Sequence, residues 1–305
     1  MSYLSDDVVG KSLSQKTPIL LMLLVVAILS ACAGTPCKRT YQPPQATNDG
    51  FLWEATKDGR AIVVLGTHQA AGHQYVSPAA WELLKSSDTF MAEVDEVEVG
   101  DRYKLDEWED IFTLPHGQSL VKLLSHDLYY KLQRLLEGSR IAIPTYLATH
   151  GPVSLPLERT KPWVAMLLLS KQTFRFPHPN INSALLAAAN DSKLKIRFFE
   201  NVKQQVQFLV ESVGIEKLRR TLREELYVKC RVEDSVAAFA AGDDEAFVLS
   251  ENDPIVARID RWMPILGATA TESRRLFLAV GVGHLLGERG ILTRLRQQGY
   301  VVTRK

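Results

Sequence analysis

The chain has 305 residues, 46% of them hydrophobic, which is long and apolar enough to bury a core and excludes intrinsic disorder. A balance of 36 Lys and Arg against 35 Asp and Glu leaves a net charge of +1, so no basic field is present to attract nucleic acid, and no nucleic-acid partner is expected. Three cysteines are too few for a disulfide scaffold or a multi-cysteine zinc module, so functional signals must be local.

The first predicted element is a secretion signal. Residues 19–29 form an apolar run of eleven residues, whereas a membrane-spanning helix needs about 20. Two lysines precede the run, and it ends in a Leu-Ser-Ala-Cys sequence, typical of a bacterial lipobox, whose cysteine is Cys32. We therefore predict a lipoprotein signal at residues 1–31, with Cys32 as the lipidated (palmitate-type) first residue of the mature chain. An ordinary cleaved signal or a short anchor is the alternative.

This signal predicts a lipid-anchored protein of the bacterial cell envelope, since two or three acyl chains hold a protein stably on a membrane. Ala33 follows the cysteine, which resembles enterobacterial sorting to the outer membrane, facing the periplasm, if the source is Gram-negative. Residues 32–50 are rich in proline and polar residues and are predicted to form a tether. Outside the cytosol Cys37 and Cys230 could form a disulfide, and two unpaired thiols are the equally open alternative.

The remaining chain alternates predicted strands and helices. Short strands at 51–54 and 61–65 flank a Lys57-Asp58-Gly59 hairpin turn. The later predicted elements are a helix at 78–86, a strand at 89–94, helices at 127–136 and 161–169, a strand at 195–199, helices at 204–209 and 215–241, a strand at 275–280, a helix at 291–298 and a strand at 301–303. We predict a single α+β or α/β domain over 51–305, with a mixed central sheet and a mostly helical insertion at about 120–248.

Two predicted strands end in a similar pattern of a glycine turn and a histidine. Gly66 leads to His68 after one strand, and Gly281 and Gly283 lead to His284 after another. Because glycine lets a chain leave a strand sharply, each histidine is expected at a strand end, where ligands commonly bind.

Glu93 is a carboxylate on an otherwise apolar strand. Burying a carboxylate there costs free energy unless it is paired or coordinated. Two histidines and one glutamate are plausible ligands for a divalent ion that keeps an open position for water. A histidine that follows a strand is more often an ordinary loop or core residue, so spacing alone leaves both interpretations open.

A series of short motifs extends over about 51–304. In chain order they are Leu52-Trp53-Glu54, Gly66-Thr67-His68, Ala92-Glu93-Val94-Asp95, Leu114-Pro115-His116-Gly117, Lys161-Pro162-Trp163, Phe199-Glu200-Asn201, Arg258-Ile259-Asp260-Arg261-Trp262 and the segment from Ala279 through Gly283-His284 to Gly287. Together they resemble the TraB/GumN family, whose animal relatives include the Tiki metalloproteases. The resemblance implies a fold of that family over nearly the whole mature domain.

The resemblance also implies a metal site, since two Gly-x-x-His motifs and a glutamate are proposed as a divalent-metal peptidase site in the Tiki branch. Carried over, His68, Glu93 and His284 would be the ligands of manganese, cobalt or zinc, and Glu93 would be the ligand or general base in metal-assisted hydrolysis. The motif glycines are Gly66, Gly281, Gly283 and Gly287. Glu200 and Arg258 would support the site or orient substrate, with a helix-entry carboxylate and a structural salt bridge as the alternatives.

The first motif departs from the family pattern. When Gly66-Thr67-His68-Gln69 is aligned with Gly-x-x-His without a gap, Gln69 takes the place of the ligand histidine. Glutamine is a poor ligand for transition metals. Either His68 takes this role after a one-residue deletion, or His73 in the next loop substitutes, or the site has lost a ligand. Asn182 also stands where relatives often have aspartate.

Two functions are therefore expected from the resemblance. One is a membrane-tethered, metal-dependent hydrolase of peptides, and the alternative is a non-catalytic protein that sequesters a peptide or other ligand, as the pheromone-shutdown members suggest. A role in envelope polysaccharide handling has only the genomic association of the GumN branch behind it. The sequence contains no Gly-x-Ser-x-Gly, His-Glu-x-x-His, Walker or dinucleotide-binding motif that would indicate another chemistry.

Overall fold

A computed structural model describes residues 50–95, 109–136, 156–174, 179–249 and 254–305. These residues belong to one compact unit, Arg39–Lys305. The predicted signal, most of the predicted tether, Cys32 and Cys37 lie outside the described residues. Within the described ranges no helix is both long and apolar enough to cross a membrane.

The centre of the domain is a mixed six-stranded sheet in the order β4-β3-β5-β2-β1-β6. Its strands are β1 (Leu52–Lys57), β2 (Arg60–Thr67), β3 (Thr89–Val94), β4 (Lys195–Glu200), β5 (Arg275–Gly281) and β6 (Val301–Arg304). Strands β4, β3, β5 and β2 are parallel neighbours. Strand β1 pairs antiparallel with both β2 and β6. The predicted mixed sheet is confirmed.

Eleven α-helices lie in the described part of the chain, which confirms the predicted α+β class. They are α1 (Pro78–Lys85), α2 (Glu109–Phe112), α3 (Leu120–Leu123), α4 (His126–Leu136), α5 (Pro162–Phe174), α6 (Ile181–Asp191), α7 (Val202–Ser212), α8 (Ile215–Arg223), α9 (Glu225–Ala241), α10 (Ile255–Glu272) and α11 (Ile291–Gln297).

The hairpin between β1 and β2 follows directly from its turn residues. Asp58 and Gly59 have φ angles of 49° and 74°, and Lys57 pairs with Arg60 across the turn. Two consecutive positive φ angles are what a two-residue type I′ turn requires, and Asp-Gly is among the sequences that adopt them most readily. The predicted turn is confirmed.

The four parallel strands end at one edge of the sheet, which we call the carboxyl edge. Thr67 of β2 pairs with Gly281 of β5, and Val94 of β3 pairs with Glu200 of β4. The interior of β5 is buried and apolar, as a strand covered on both faces requires. Because the strands run in the same direction, the residues that follow them are brought together at this edge, where ligands bind in open parallel sheets.

Two apolar clusters stabilise the domain. The first surrounds the sheet and includes Val64, Phe277 and Trp262. The second is formed by the helices of the insertion and includes Leu132 and Trp163, whose indole N–H donates to the Ile111 carbonyl at 3.0 Å. The mostly helical character predicted for the insertion is confirmed within the described residues.

Two helix predictions need correction. The predicted helix at 215–241 is two helices, because Glu224 at φ −108° and ψ 26° interrupts the helical conformation between α8 and α9. No helix was predicted at 255–272, although the motif from Arg258 to Trp262 lies within α10. It contains Pro264, which lacks a backbone N–H and disfavours a helix interior, so the sequence gives a weak helical signal there.

Candidate functional site

A cavity of about 480 Å³ opens at the carboxyl edge of the sheet. The ends of β2, β3 and β5 form its floor, and side chains from helices α6, α7, α9 and α10 form its walls. Its polar lining includes His68, Glu93, Asn182, Gln205, Arg258 and His284. Its apolar lining includes Leu186, Phe198, Phe208, Val232 and Phe247. Mostly apolar walls with a few converging polar groups are typical of small-ligand sites.

Arg258 lies at the centre of the polar part of this cavity and is only 3% exposed. Its Nε and Nη2 atoms donate to the two carboxylate oxygens of Glu200 at 3.1 and 2.8 Å. Nη2 also donates to Glu93 Oε2 at 3.2 Å and to Gln205 Oε1 at 2.6 Å. Paired bonds between a guanidinium and a carboxylate fix both position and orientation, so Arg258 is held rigidly.

Two aromatic rings lie close to the guanidinium. Arg258 Cζ lies 4.4 Å from the centroid of Phe208 and 4.6 Å from that of Trp262. The Trp262 indole N–H donates to Glu200 Oε1 at 2.9 Å, and its ring stacks on Phe199 at 4.7 Å. A planar guanidinium suits this arrangement better than the compact ammonium of lysine, so Arg258 is specified by shape as well as by charge.

Glu93 reaches the cavity from the end of β3. Its Oε1 accepts the Gly281 N–H at 2.8 Å, and its Oε2 accepts from Arg258. Burial alone would raise the pKa of this carboxyl, but His284 when protonated, the Arg258 guanidinium and the Gly281 N–H together outweigh burial and lower the pKa below its usual value. Glu93 is therefore a carboxylate at neutral pH.

His284 is buried in a short 3-10 turn that follows β5. Its Nε2 lies 3.4 Å from Arg258 Nη1, its Nδ1 lies 3.1 Å from the Gly281 carbonyl oxygen, and its ring stacks on Trp262 at 4.8 Å. Because a guanidinium can only donate and a carbonyl can only accept, these contacts favour the tautomer with its proton on Nδ1. The Nδ1 atom also lies 3.6 Å from Glu93 Oε1.

We call Arg258, Glu93, Glu200 and His284 the arginine cluster. With the His284 ring neutral, the cluster's two carboxylates and one buried guanidinium sum to a net charge of −1. Arg261 Nη2 lies 4.0 Å from Glu200, but the Arg261 side chain is 62% exposed, so solvent screens its contribution. The cluster therefore gives the cavity floor a negative character.

His68 lines the same cavity, but its surroundings differ from those of His284. Its Nδ1 accepts the Ala70 N–H at 3.2 Å, and its ring lies 5.5 Å from Phe239 and 5.9 Å from Phe247. Burial lowers the pKa of this histidine, which favours the neutral ring. With Nδ1 as acceptor, the proton of the neutral ring lies on Nε2.

The predicted ligands His68, Glu93 and His284 share the cavity without forming a ligand set. Nowhere in the described ranges do three His, Cys, Asp or Glu side chains converge in a way that could hold a metal ion. His68 would have to give up its bond with Ala70 to offer Nε2, and Arg258 already contacts both other groups. The arrangement does not fit a divalent ion as it stands, and metal binding stays a prediction.

Three further residues bear on whether the site departs from the family pattern, namely Gln69, His73 and Asn182. Gln69 lines the cavity, so the strict family position does face the site. His73 is exposed in a 3-10 turn, His73–Tyr75, and is not among the lining residues of the cavity. Asn182 lines the cavity from the first turn of α6.

A side chain would collide at two of the four predicted motif glycines, Gly66 and Gly287, and would be tightly packed at Gly281. A Cβ at Gly66 would lie 2.8 Å from Phe51 Cβ, and one at Gly281 would lie 3.2 Å from His284 Nδ1 and 3.3 Å from Glu93 Oε1. Gly287 has a φ of +94° and packs on the Leu249 backbone. A Cβ at Gly283 would meet nothing within 4 Å. Gly281 therefore allows the close contact between Glu93 and His284.

Cys230 lies in α9 and is disulfide-bonded. Its predicted partner, Cys37, and the predicted lipidation site, Cys32, are outside the described residues. The pairing and the lipidation both stay predictions.

Glu200 and Arg258 were predicted as supporting residues, and the structure places both in the arginine cluster. Gln205, Phe208 and Trp262 were not predicted as site residues. Arg258 and Trp262 are four residues apart and share one face of α10, so that spacing would have indicated their proximity had the helix been recognised.

Comparison with known proteins agrees with the motifs noted in the sequence. Neither the curated proteins nor the solved structures contain a match to the chain. The sequence model described as the TraB/PrgY/gumN family matches residues 51–304, which include all six strands and the arginine cluster. The chain therefore belongs to the TraB/PrgY/gumN family.

Proposed function

We propose that the chain is a binding protein that sequesters a peptide or similar small ligand in the carboxyl-edge cavity. The observation that carries this proposal is the cavity itself, about 480 Å³ with apolar walls above a buried, mutually bonded polar floor. Such a floor orients a ligand without having to rearrange, which reduces the entropic cost of binding.

The nature of the lining supports a peptide-like ligand. The amide side chains of Asn182, Gln205 and Gln69 can donate to and accept from a peptide backbone, while Phe208 and Leu186 offer apolar contacts to side chains. The negative character of the floor favours a ligand that carries a positive group, such as a free amine.

The test is retention of a pool of short synthetic peptides by the full chain in equilibrium dialysis, read by mass spectrometry. Val232→Trp fills the cavity from α9, whereas Val301→Trp places the same side chain on β6 at a position 65% exposed. We expect retention by the parent chain and by Val301→Trp, and its loss in Val232→Trp. Equal retention by both variants, or none by a folded parent chain, contradicts the proposal.

A second candidate is metal-dependent hydrolysis of a peptide. One observation favours it, namely that His284 Nδ1 lies 3.6 Å from Glu93 Oε1 beside the cavity that His68 also lines. It requires His68 to exchange its tautomer and Arg258 to release Glu93, since neither group is free as placed. Manganese, cobalt or zinc would supply an activated water if such a ligand set formed.

The same peptide pool distinguishes the two candidates. Hydrolysis predicts new fragments that depend on added Mn²⁺, Co²⁺ or Zn²⁺ and disappear in Glu93→Gln. Sequestration predicts intact peptides under all of these conditions. Fragments that require both the ion and Glu93 would replace the first proposal by the second.

We also propose that the chain is anchored in the bacterial envelope by lipid at Cys32. The support is the length of the apolar run at 19–29 and the Leu-Ser-Ala-Cys sequence that ends it. Expression with labelled palmitate in a Gram-negative host should label the parent chain and Cys37→Ser, but not Cys32→Ser. Label retained by Cys32→Ser would contradict the anchor.

A further inference from the structure

We propose that Glu93 binds a primary ammonium group of the ligand, so that the cavity selects a molecule with one amine on an apolar body and rejects the same molecule when its amine is blocked. This inference rests on the proposed sequestration and specifies which group of the ligand the cavity recognises.

Glu93 is the member of the arginine cluster that is most open to the cavity. Its side chain is 18% exposed, compared with 3% for Arg258, 5% for Glu200 and 9% for His284. Both oxygens of Glu200 are engaged by Arg258. A ligand therefore meets the negative charge of the cluster at Glu93.

The carboxylate of Glu93 has acceptor capacity left for a ligand. Its Oε1 accepts the Gly281 N–H at 2.8 Å and its Oε2 accepts from Arg258 at 3.2 Å, whereas a carboxylate has about four lone-pair sites. The same two bonds fix the carboxylate in place and stabilise its charged form. Glu93 is thus an oriented anion with lone pairs available at the floor of the cavity.

The cavity offers this charge few cationic partners of its own. Among the described residues that line it, Arg258 is the only lysine or arginine. With His284 neutral the arginine cluster carries a net charge of −1, which one ammonium group of a ligand would balance. A ligand carboxylate would instead face a like charge between mostly apolar walls, where little water screens the repulsion.

The rest of the lining suits an amine on an apolar body. An ammonium donates three hydrogen bonds and accepts none, and the amide oxygens of Gln69 and Asn182 are further acceptors in the lining. Leu186 and Phe208 offer apolar contacts to the remainder of the ligand. The lining therefore favours a ligand with a single cationic end over a neutral ligand or one with several charges.

The N-terminus of a peptide and a lysine side chain are two sources of such an amine, and three peptide pools distinguish them. All the peptides are short and apolar, have amidated carboxyl ends and contain no arginine or histidine. The first pool has free N-termini and no lysine, the second has acetylated N-termini and one lysine per peptide, and the third has acetylated N-termini and no lysine. Equilibrium dialysis against the full chain measures the retention of each pool.

Three variants are compared with the parent chain, and circular dichroism checks that each is folded. Glu93→Gln removes the charge and keeps an oxygen for the Gly281 N–H, while Glu93→Asp keeps the charge on a shorter side chain. Glu82→Gln is the matched control, because it removes one carboxylate from a side chain on α1 that is 73% exposed and does not line the cavity.

We expect the parent chain and Glu82→Gln to bind the first or the second pool at least about tenfold more tightly than the third, because hydrogen bonds to charged groups are among the stronger ones. Glu93→Gln should lose this preference, and Glu93→Asp should keep part of it. The pool that is retained identifies the N-terminal amine or the lysine side chain as the source.

Two results would overturn the role of Glu93 and leave sequestration intact. One is equal retention of all three pools by the parent chain, with retention lost in Val232→Trp. The other is a preference for an amine that persists at full strength in folded Glu93→Gln or, if that variant does not fold, in Glu93→Asp. If a folded parent chain retains none of the pools, sequestration itself fails and this inference fails with it.

Discussion

The ends of β2 and β5 resemble each other in sequence and differ in what surrounds them. Each strand ends in a glycine turn and a histidine, and the two strands are adjacent and parallel. At the β5 end, His284 is buried and contacts Arg258, Gly281 and Trp262. At the β2 end, His68 accepts one backbone N–H and lies beside two phenylalanine rings.

The difference comes from the helices that cover each end. Helix α10 brings Arg258 and Trp262 to the β5 end, while Phe239 of α9 and nearby Phe247 cover the β2 end. A shared local motif therefore fixes where a histidine lies, and distant elements decide which groups contact its ring. We predict that the two ends respond differently to the following changes.

The largest effect is expected for Glu200→Ala, which leaves Arg258 buried without its two main bonds. Arg258 keeps Glu93 as a carboxylate partner, so the expected cost is that of two hydrogen bonds to a charged group, about 1.5–3 kcal/mol of unfolding free energy each. Arg261→Ala, at a side chain 62% exposed, should cost less than about 1 kcal/mol. Urea unfolding of both variants is the measurement, and equal small losses would show that the arginine cluster contributes little to stability.

Replacing each histidine by phenylalanine compares the two ends directly. His284→Phe removes the acceptor for Arg258 Nη1 in a buried site, which should cost about 1–3 kcal/mol. His68→Phe loses one backbone contact among aromatic rings that accommodate phenylalanine, so we expect a cost below about 1 kcal/mol. Thermal unfolding measures both, and a larger loss for His68→Phe would reverse the comparison.

Gly281→Ala should come next, because its Cβ would lie 3.2 Å from His284 Nδ1 and 3.3 Å from Glu93 Oε1. These neighbours would have to shift by a few tenths of an ångström, so we expect a cost of about 1 kcal/mol, the lower end of the usual range for overpacking. Gly283→Ala is the matched control, since nothing lies within 4 Å of its added methyl group. The free energies of unfolding of the two variants should differ clearly, and similar values would weaken the role given to Gly281.

The positions of several strands and of their ends could be predicted from the sequence, because they depend on residues that are close together in the chain. The Asp58-Gly59 turn, the apolar run of β5 and the glycines before His68 and His284 place strands and their ends correctly. The isolated carboxylate Glu93 on an apolar strand also indicated a polar partner, which the structure supplies.

What could not be predicted depends on long-range contacts. Arg258 and Glu200 are 58 residues apart, and Arg258 and Glu93 are 165 apart, so no local pattern links them. Pro264 weakened the helical signal of α10, which carries Arg258 and Trp262. The similarity of the two histidine motifs also gave no indication that Ala70 would bond to one ring and Arg258 to the other.

The smallest expected effects are in the pH dependence of stability, and they fall in separate windows. Burial lowers the pKa of His68 in the fold, so the unfolded chain takes up protons more readily and stability falls as pH drops below about 6.5. The pKa of Glu93 is also lowered in the fold, so its contribution is present above about 4.3 and is lost on further acidification.

Urea unfolding across the pH range measures both windows. His68→Phe should flatten the loss of stability near pH 6, and Glu93→Gln should flatten the loss below about pH 4.3. A His68→Phe chain that keeps the full slope near pH 6 would show that another group titrates there.

The most direct test of the difference between the two strand ends is the tautomer of each histidine. Ring nitrogen NMR shifts of the metal-free chain, measured well above the ordinary histidine pKa of about 6.5, report which nitrogen carries the proton. His68→Phe and His284→Phe assign the signals. The contacts predict the proton on Nδ1 of His284 and on Nε2 of His68. A proton on Nε2 of His284 would contradict the account, because Arg258 could then no longer donate to that ring.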